Sequence, residues 1–194
     1  VLLDGGGNVW LATADGVRRL AGSDWTTYDV VGGFLADNDV RALAFDPETN
    51  AIFAGTAVGI ARITGDTSTI LTAGIDKLPY DVITSIAVSG NRLALGHDIG
   101  ATAVEDALLG DQLFARFDHY ISERWLPDNE VRAVAYDAAG RLWVGTAAGL
   151  SRIDWVDRSL DDVAQELEEL VEKAFWRMDG FVSSDATADD GYNP

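Results

Sequence analysis

The chain of 194 residues contains no cysteine. That excludes a disulfide scaffold, a thiolate zinc site and a cysteine nucleophile. Positive charge is scarce, with 14 Lys+Arg against 32 Asp+Glu and a formal charge of −18. Lysine is nearly absent, only Lys77 and Lys173. So acidic a chain repels phosphate backbones, and no nucleic-acid partner is expected. No apolar run reaches the ~18 residues that a membrane helix needs, so no span is expected in this segment. The two histidines, His97 and His119, lack the partner spacing of a metal site, and neither metal nor cofactor is expected. The opening run Val1-Leu2-Leu3 shows no charged n-region and no cleavage site, so no targeting signal is visible in the sequence, which is uninformative if its start has been cut away.

What the chain does have is apolar residues, at 47% enough for a core, and a large excess of Asp over Glu. Asp bonds its local backbone and favours turns, so many turns and few helices are expected. Those turns are periodic. Val40-Arg41-Ala42-Leu43-Ala44-Phe45-Asp46 matches Val131-Arg132-Ala133-Val134-Ala135-Tyr136-Asp137. Ile83 to Ser89 is a weaker copy, and Val1 to Asp4 a truncated one. A second run follows each, at Asn8–Thr13, Ala51–Thr56, Arg92–His97 and Arg141–Thr146. Gly16, Gly59, Gly100 and Gly149 then open a third run, spaced 43, 41 and 49 residues apart. Outer runs follow at Trp25–Tyr28, Ser68–Leu71 and Leu113–Tyr120. Short β-branched or aromatic runs bounded by Gly, Asp and Asn predict antiparallel strands. Four strands at a period of ~40–45 residues is the arithmetic of a β-propeller blade.

The stretch from Leu126-Pro127-Asp128-Asn129-Glu130-Val131 through Asp137, Gly140-Arg141-Leu142-Trp143-Val144-Gly145-Thr146 and Gly149 to Asp154 resembles the two-component-regulator propeller repeat. The copy at Asp37-Asn38-Asp39-Val40, with Gly55-Thr56 and Gly59, resembles it too. The third copy departs, with Tyr80-Asp81 for Asp-Asn, Ser89 for Asp and His97 for Thr. The fold class expected is therefore mainly β: a partial β-propeller over 1–155, with blades at about 1–30, 34–72, 78–120 and 126–155. That is about three and a half four-stranded blades, fewer than a closed ring needs. Upstream blades are expected to be missing, so that the chain is a piece of a longer protein.

From Ser159 the period changes. Leu160, Val163, Leu167, Leu170 and Ala174 recur at three- and four-residue steps, predicting one amphipathic helix within 156–178. Residues 179–194 are polar and predict a linker into a downstream region. The stretch from Tyr120 through Arg124-Trp125-Leu126-Pro127 to Arg177–Val182 resembles, more weakly, propeller proteins that continue into a helical-toroid domain.

Propellers bind ligands where the loops leading into the inner strands converge. By register those loops carry Asp37, Asn38, Asp39, Tyr80, Asp81, Asp128, Asn129 and Glu130, with Arg41 and Arg132 just beyond. They could form a polar ring for a glycan or other small ligand. The competing reading is local: Asp and Asn shape the loops through side-chain-to-backbone bonds. His119, Arg124 and Trp125 form a second set, which could hold and deprotonate a uronate, or could simply lie on an outer strand. Trp125 is the best stacking candidate. Trp10 and Trp143 share one repeat position and are expected in the core between blades.

The expected function is a non-catalytic ligand-binding or scaffolding propeller module, glycan-related, within a larger protein. The resemblance implies a secreted or periplasmic place. The alternatives are part of a polysaccharide lyase or hydrolase, and the sensor domain of a two-component regulator.

Overall fold

The computed structural model describes residues 1–73, 78, 80–105, 116–121 and 124–154. The chain divides into two compact units, Val1–Asp154 and Trp155–Pro194. The helix expected within 156–178 and the linker at 179–194 lie outside the described residues, as does the distinguishing part of the helical-toroid resemblance.

The first unit is built of fifteen strands. Sheet 1 holds β1 (Leu2–Leu3), β2 (Val9–Thr13), β3 (Gly16–Ala21) and β4 (Asp24–Tyr28). Sheet 2 holds β5 (Ala42–Asp46), β6 (Ala51–Gly55), β7 (Ile60–Thr64) and β8 (Thr67–Leu71). Sheet 3 holds β9 (Ser85–Ser89), β10 (Arg92–His97), β11 (Gly100–Glu105) and β12 (Arg116–Tyr120). Sheet 4 holds β13 (Val131–Tyr136), β14 (Leu142–Thr146) and β15 (Leu150–Ile153). Within every sheet the strands pair antiparallel in chain order. The first strands stand side by side: β1 packs near β5, β5 on β9, and β9 on β13.

The two-residue period of a strand explains how the sheets stack. On β6 every residue is buried, so both faces must be covered. Ile52 and Ala54 point one way, into a cluster with Trp10, Val17, Tyr28 and Ile63 that joins sheets 1 and 2. Phe53 points the other way, into a cluster with Ile83, Ile86, Leu93 and Leu95 that joins sheets 2 and 3. Each such side chain, fully buried, contributes roughly 1.5–3 kcal/mol. Sheets 3 and 4 are tied by Thr84 Oγ1 donating to Val131 O at 2.7 Å and Val134 N donating to Ser85 Oγ at 3.0 Å.

The repeat aspartates make the first hairpin of sheets 1, 2 and 4, while sheet 3 has Ser89 there. Asp4 accepts from the backbone N–H of Gly6 and Asn8, both at 2.9 Å, and from the Trp10 indole N–H at 2.8 Å. Asp137 repeats this with Ala139, Arg141 and Trp143, the last at 2.9 Å. Asp46 faces Phe53 rather than Trp and takes Thr49 instead, through both its N–H and its hydroxyl. Burial works against the Asp4 carboxylate, but the donors of Trp10, Asn8 and Gly6 outweigh it and hold it at about 2. The Trp143 indole, ahead of the Arg141 contacts, holds Asp137 far below the ordinary carboxylate range.

Candidate functional site

Register places all the loop candidates at one end of the sheets. Each first strand begins where the second strand of its sheet ends: Ala42 pairs Gly55, Ser85 pairs Gly96, and Val131 pairs Thr146. The described residues of 29–41, 80–84 and 124–130 therefore reach the same end. They also cross onto the preceding sheet, since Val40 N donates to Thr13 O and Ile83 N to Thr56 O.

Most of the acids in these segments are occupied locally. Asp37 accepts from Asp39 N at 3.2 Å, and Asp128 from Glu130 N at 3.3 Å. Asn38 accepts from Val30 N at 2.9 Å, and Asp81 accepts from Ala73 N. These are turn-shaping bonds of the kind that Asp and Asn favour. Asn129 also has an interaction partner. Two arginines do something different. Arg41 pairs Asp39 at 3.0 Å and Arg132 pairs Glu130 at 3.5 Å, in equivalent positions on sheets 2 and 4. Both guanidinium–carboxylate pairs are exposed. In the sheet 3 copy the same two positions are Val82 and Thr84.

The second set of candidates is split by the strand period. His119 and Tyr120 are neighbours on β12 and face opposite sides. Tyr120 meets Trp125 edge-on at 5.6 Å, and the Arg124 guanidinium lies 5.4 Å over the Trp125 ring. Trp125 remains 47% exposed. His119 turns instead toward Tyr80 and His97. His97 Nε2 is 3.0 Å from Thr102 Oγ1, which is 3.1 Å from His119 Nδ1. The Tyr80 ring centroid is 4.6 Å from His97 and 6.5 Å from His119.

A single hydroxyl proton makes this chain of three groups asymmetric. If Thr102 donates to His119, then His97 donates through Nε2 and its Nδ1 is a bare acceptor. If Thr102 donates to His97, then Nδ1 carries the orphan proton. In either case Nδ1 is buried and has no partner among the described residues. Burial pushes the His97 imidazole down to about 4, against the upward pull of Asp98 and with His119 adding to the fall. Burial also lowers His119, against Asp118. His97 is 1% exposed, at the end of an apolar interface. The trio can thus hold a position and a proton, with His97 and Thr102 buried and His119 alone exposed.

The bridging role of Thr102 was not foreseen in the sequence, although a signal existed. Sheet 2 carries Thr56, Ala61 and Ile70 where sheet 3 carries His97, Thr102 and His119. Three substitutions at positions that meet across strands mark one cluster. Trp10 is buried as expected between sheets, stacked on Tyr28 at 5.3 Å. Trp143 is half-buried, on a face of sheet 4 that points away from sheet 3.

The model of the family described as two component regulator propeller matches residues 126–148. Among solved structures, the extracellular domain of a hybrid two-component system of B. thetaiotaomicron has a TM-score of 0.61 at 22% identity, covering 78% of this chain and 20% of that one. A second such domain from the same organism gives 0.56 at 20% identity, covering 78% and 19%. Virginiamycin B lyase from Staphylococcus aureus gives 0.55 at 15% identity, covering 79% and 54%. The chain spans about a fifth of the length of the two extracellular domains. At these identities the likeness concerns the fold, and sites are argued from their own residues. No curated protein matches the chain in sequence. Residues 126–148 are a two component regulator propeller repeat, and the four sheets have the fold of propeller blades.

Proposed function

We propose that this chain is a non-catalytic, ligand-binding propeller module of a sensor-type protein, placed in the periplasm or outside the cell. Its recognition surface is the end where 37–41, 80–84 and 128–132 gather. The observation that carries this reading is the recurrence of an exposed arginine–carboxylate pair, Asp39–Arg41 and Glu130–Arg132, on loops stiffened by their own acids. Stiff loops presenting paired donors and acceptors lose little freedom on binding a polyhydroxyl ligand. The half-exposed Trp125, backed by Tyr120, adds a face on which a sugar ring stacks. The ligand class that fits is a glycan. The extracytoplasmic place is supported by the extracellular domains among the structural neighbours.

The enzyme reading has less support. Its best proton carrier, His97, is sealed between sheets, and its arginine, Arg124, lies with Trp125 rather than with His119.

The test is a glycan array probed with the whole chain, followed by calorimetry on the ligands found. Arg41→Ala with Arg132→Ala should weaken binding at least about tenfold, the scale of losing two charged hydrogen-bonding groups. Binding that survives the double substitution unchanged, or an array with no ligand, would overturn the reading.

A further inference from the structure

The opposite end of the sheets carries a second feature. In sheets 1, 2 and 4 the third strand places an arginine across from the aromatic of the second strand: Arg19 pairs Trp10, Arg62 pairs Phe53, and Arg152 pairs Trp143. The Arg19 guanidinium lies 5.5 Å over the Trp10 ring. Such stacking fixes a guanidinium but satisfies none of its N–H groups. Arg152 finds Asp154 at 2.9 Å. Arg19 has no carboxylate or hydrogen-bond partner among the described residues, and its Nε is sealed from solvent.

A buried donor without an acceptor is costly, so the space beside it matters. Arg62 also has an orphan Nε, but the cavity at that position holds only about 10 Å³. Beside Arg19, between sheets 1 and 2, lies a cleft of about 190 Å³. Its walls include Trp10, Tyr28, Asn8, Asn50 and Asp4. Asp4 cannot serve as the acceptor, because both its oxygens are filled by Asn8, Trp10 and backbone N–H groups. Arg19 is thus a stacked cation lining a polar cleft whose one carboxylate, Asp4, is already engaged by its own hairpin. The cleft is below the volumes that hold drug-sized molecules, so it suits a ligand of sugar-acid size or smaller.

We propose that the cleft between sheets 1 and 2 is a binding site for a small hydroxycarboxylate, whose carboxylate pairs Arg19 and whose hydroxyls meet the amides of Asn8 and Asn50. It lies at the far end of the sheets from the loops proposed above and does not depend on them.

The experiment titrates the whole chain with D-glucuronate and D-gluconate, with D-glucose as the uncharged match, by calorimetry and by the Trp10 indole N–H resonance. At least one acid should bind and shift that resonance, with D-glucose at least about tenfold weaker. Arg19→Gln should lose binding about tenfold or more, and Arg41→Ala with Arg132→Ala should keep it. Because Arg19 also packs on Trp10, its loss could harm folding. Asn50→Gly provides the second variant: Asn50 has φ 55°, a conformation glycine adopts freely, so this variant should fold normally and bind several-fold more weakly. If neither acid binds, the cleft holds water only and the proposal fails. It fails equally if D-glucose binds as tightly as the acids, or if binding is unchanged in Arg19→Gln.

Discussion

At the scale of single residues, one repeat position tells the most. Thr13, Thr56 and Thr146 each close a hairpin by donating from Oγ1 to the carbonyl of the following repeat glycine. His97 holds the same position but turns its ring to Thr102 and Tyr80. The consequence is a pH dependence with a definite sign. His97 titrates near 4 in the fold and at its ordinary 6.5 when unfolded. Above pH 6.5 both states are neutral there, and the stability contribution is complete. As pH falls from 6.5 to 4 the unfolded chain binds the proton first, so stability is lost across that window. The full loss is on the order of 3 kcal/mol, with no further loss below the folded value. Asp4, held at about 2, acts in a separate and lower window, below the ordinary carboxylate value. Denaturation midpoints measured from pH 8 to 4 should therefore fall in the wild type. In His97→Thr, which restores the residue of the other three sheets, they should fall distinctly less, with His119 supplying the same sign of dependence that remains. A wild-type profile flat to pH 4 would mean that water reaches the ring and that it is not desolvated as described.

At the scale of strands, the sequence displayed the repeat anchors but not their reasons. Gly59 has φ 140°, and a Cβ there would sit 2.1 Å from the carbonyl oxygen of Leu71, at the end of the fourth strand. The glycine that opens the third run of sheets 1, 2 and 3 is thus a mark of fourth-strand closure, which spacing alone could not convey. The glycine ending the second strand has another cause. A Cβ on Gly55 would meet Ile83 Cγ2 at 2.5 Å, and one on Gly96 would meet Val131 Cγ1 at 2.7 Å, each on the following sheet. The equivalent Gly145 has nothing closer than Ala133 O at 3.7 Å. Gly55→Ala should then cost about 1–3 kcal/mol through overpacking, whereas Gly145→Ala should stay within about 0.5 kcal/mol. Urea titrations of the two variants measure this, and equal costs would refute the close approach between sheets 2 and 3. The strands, their order and the loop end were legible because they follow from a two-residue period and a fixed glycine phase. The division of His119 from Arg124 and Trp125 was not. It depends on which face of β12 each side chain takes, and that is fixed only by the pairing of Thr102 with His119.

At the scale of the molecule, stability follows from stacking, since each sheet touches only its neighbours and the whole behaves as a one-dimensional array. Sheets 2 and 3 are covered on both faces by the clusters that join 1 to 2 and 2 to 3 and by the contacts to sheet 4. Sheet 4 has a neighbouring sheet on one face only among the described residues. Val134, Leu142, Val144 and Ile153 are buried on that face, while Ala133, Ala135 and Arg152 are exposed on the other. Leu150, on the exposed face, is 64% accessible. Local opening should therefore be cheapest in the end sheets. Amide hydrogen exchange should be slowest in β6 and β10, where nearly every residue is buried, and at least about tenfold faster in β2 and β14. The acidic surface sharpens the contrast, because a charge of −18 repels itself most where least apolar area holds the sheet down. Raising ionic strength from 0.01 to 0.15 M shortens the Debye length from about 30 Å to about 8 Å, and should slow exchange in β14 more than in β6. Protection in β14 equal to that in β6 at both salt concentrations would show that the far face of sheet 4 is covered after all, and the end-sheet argument would fall.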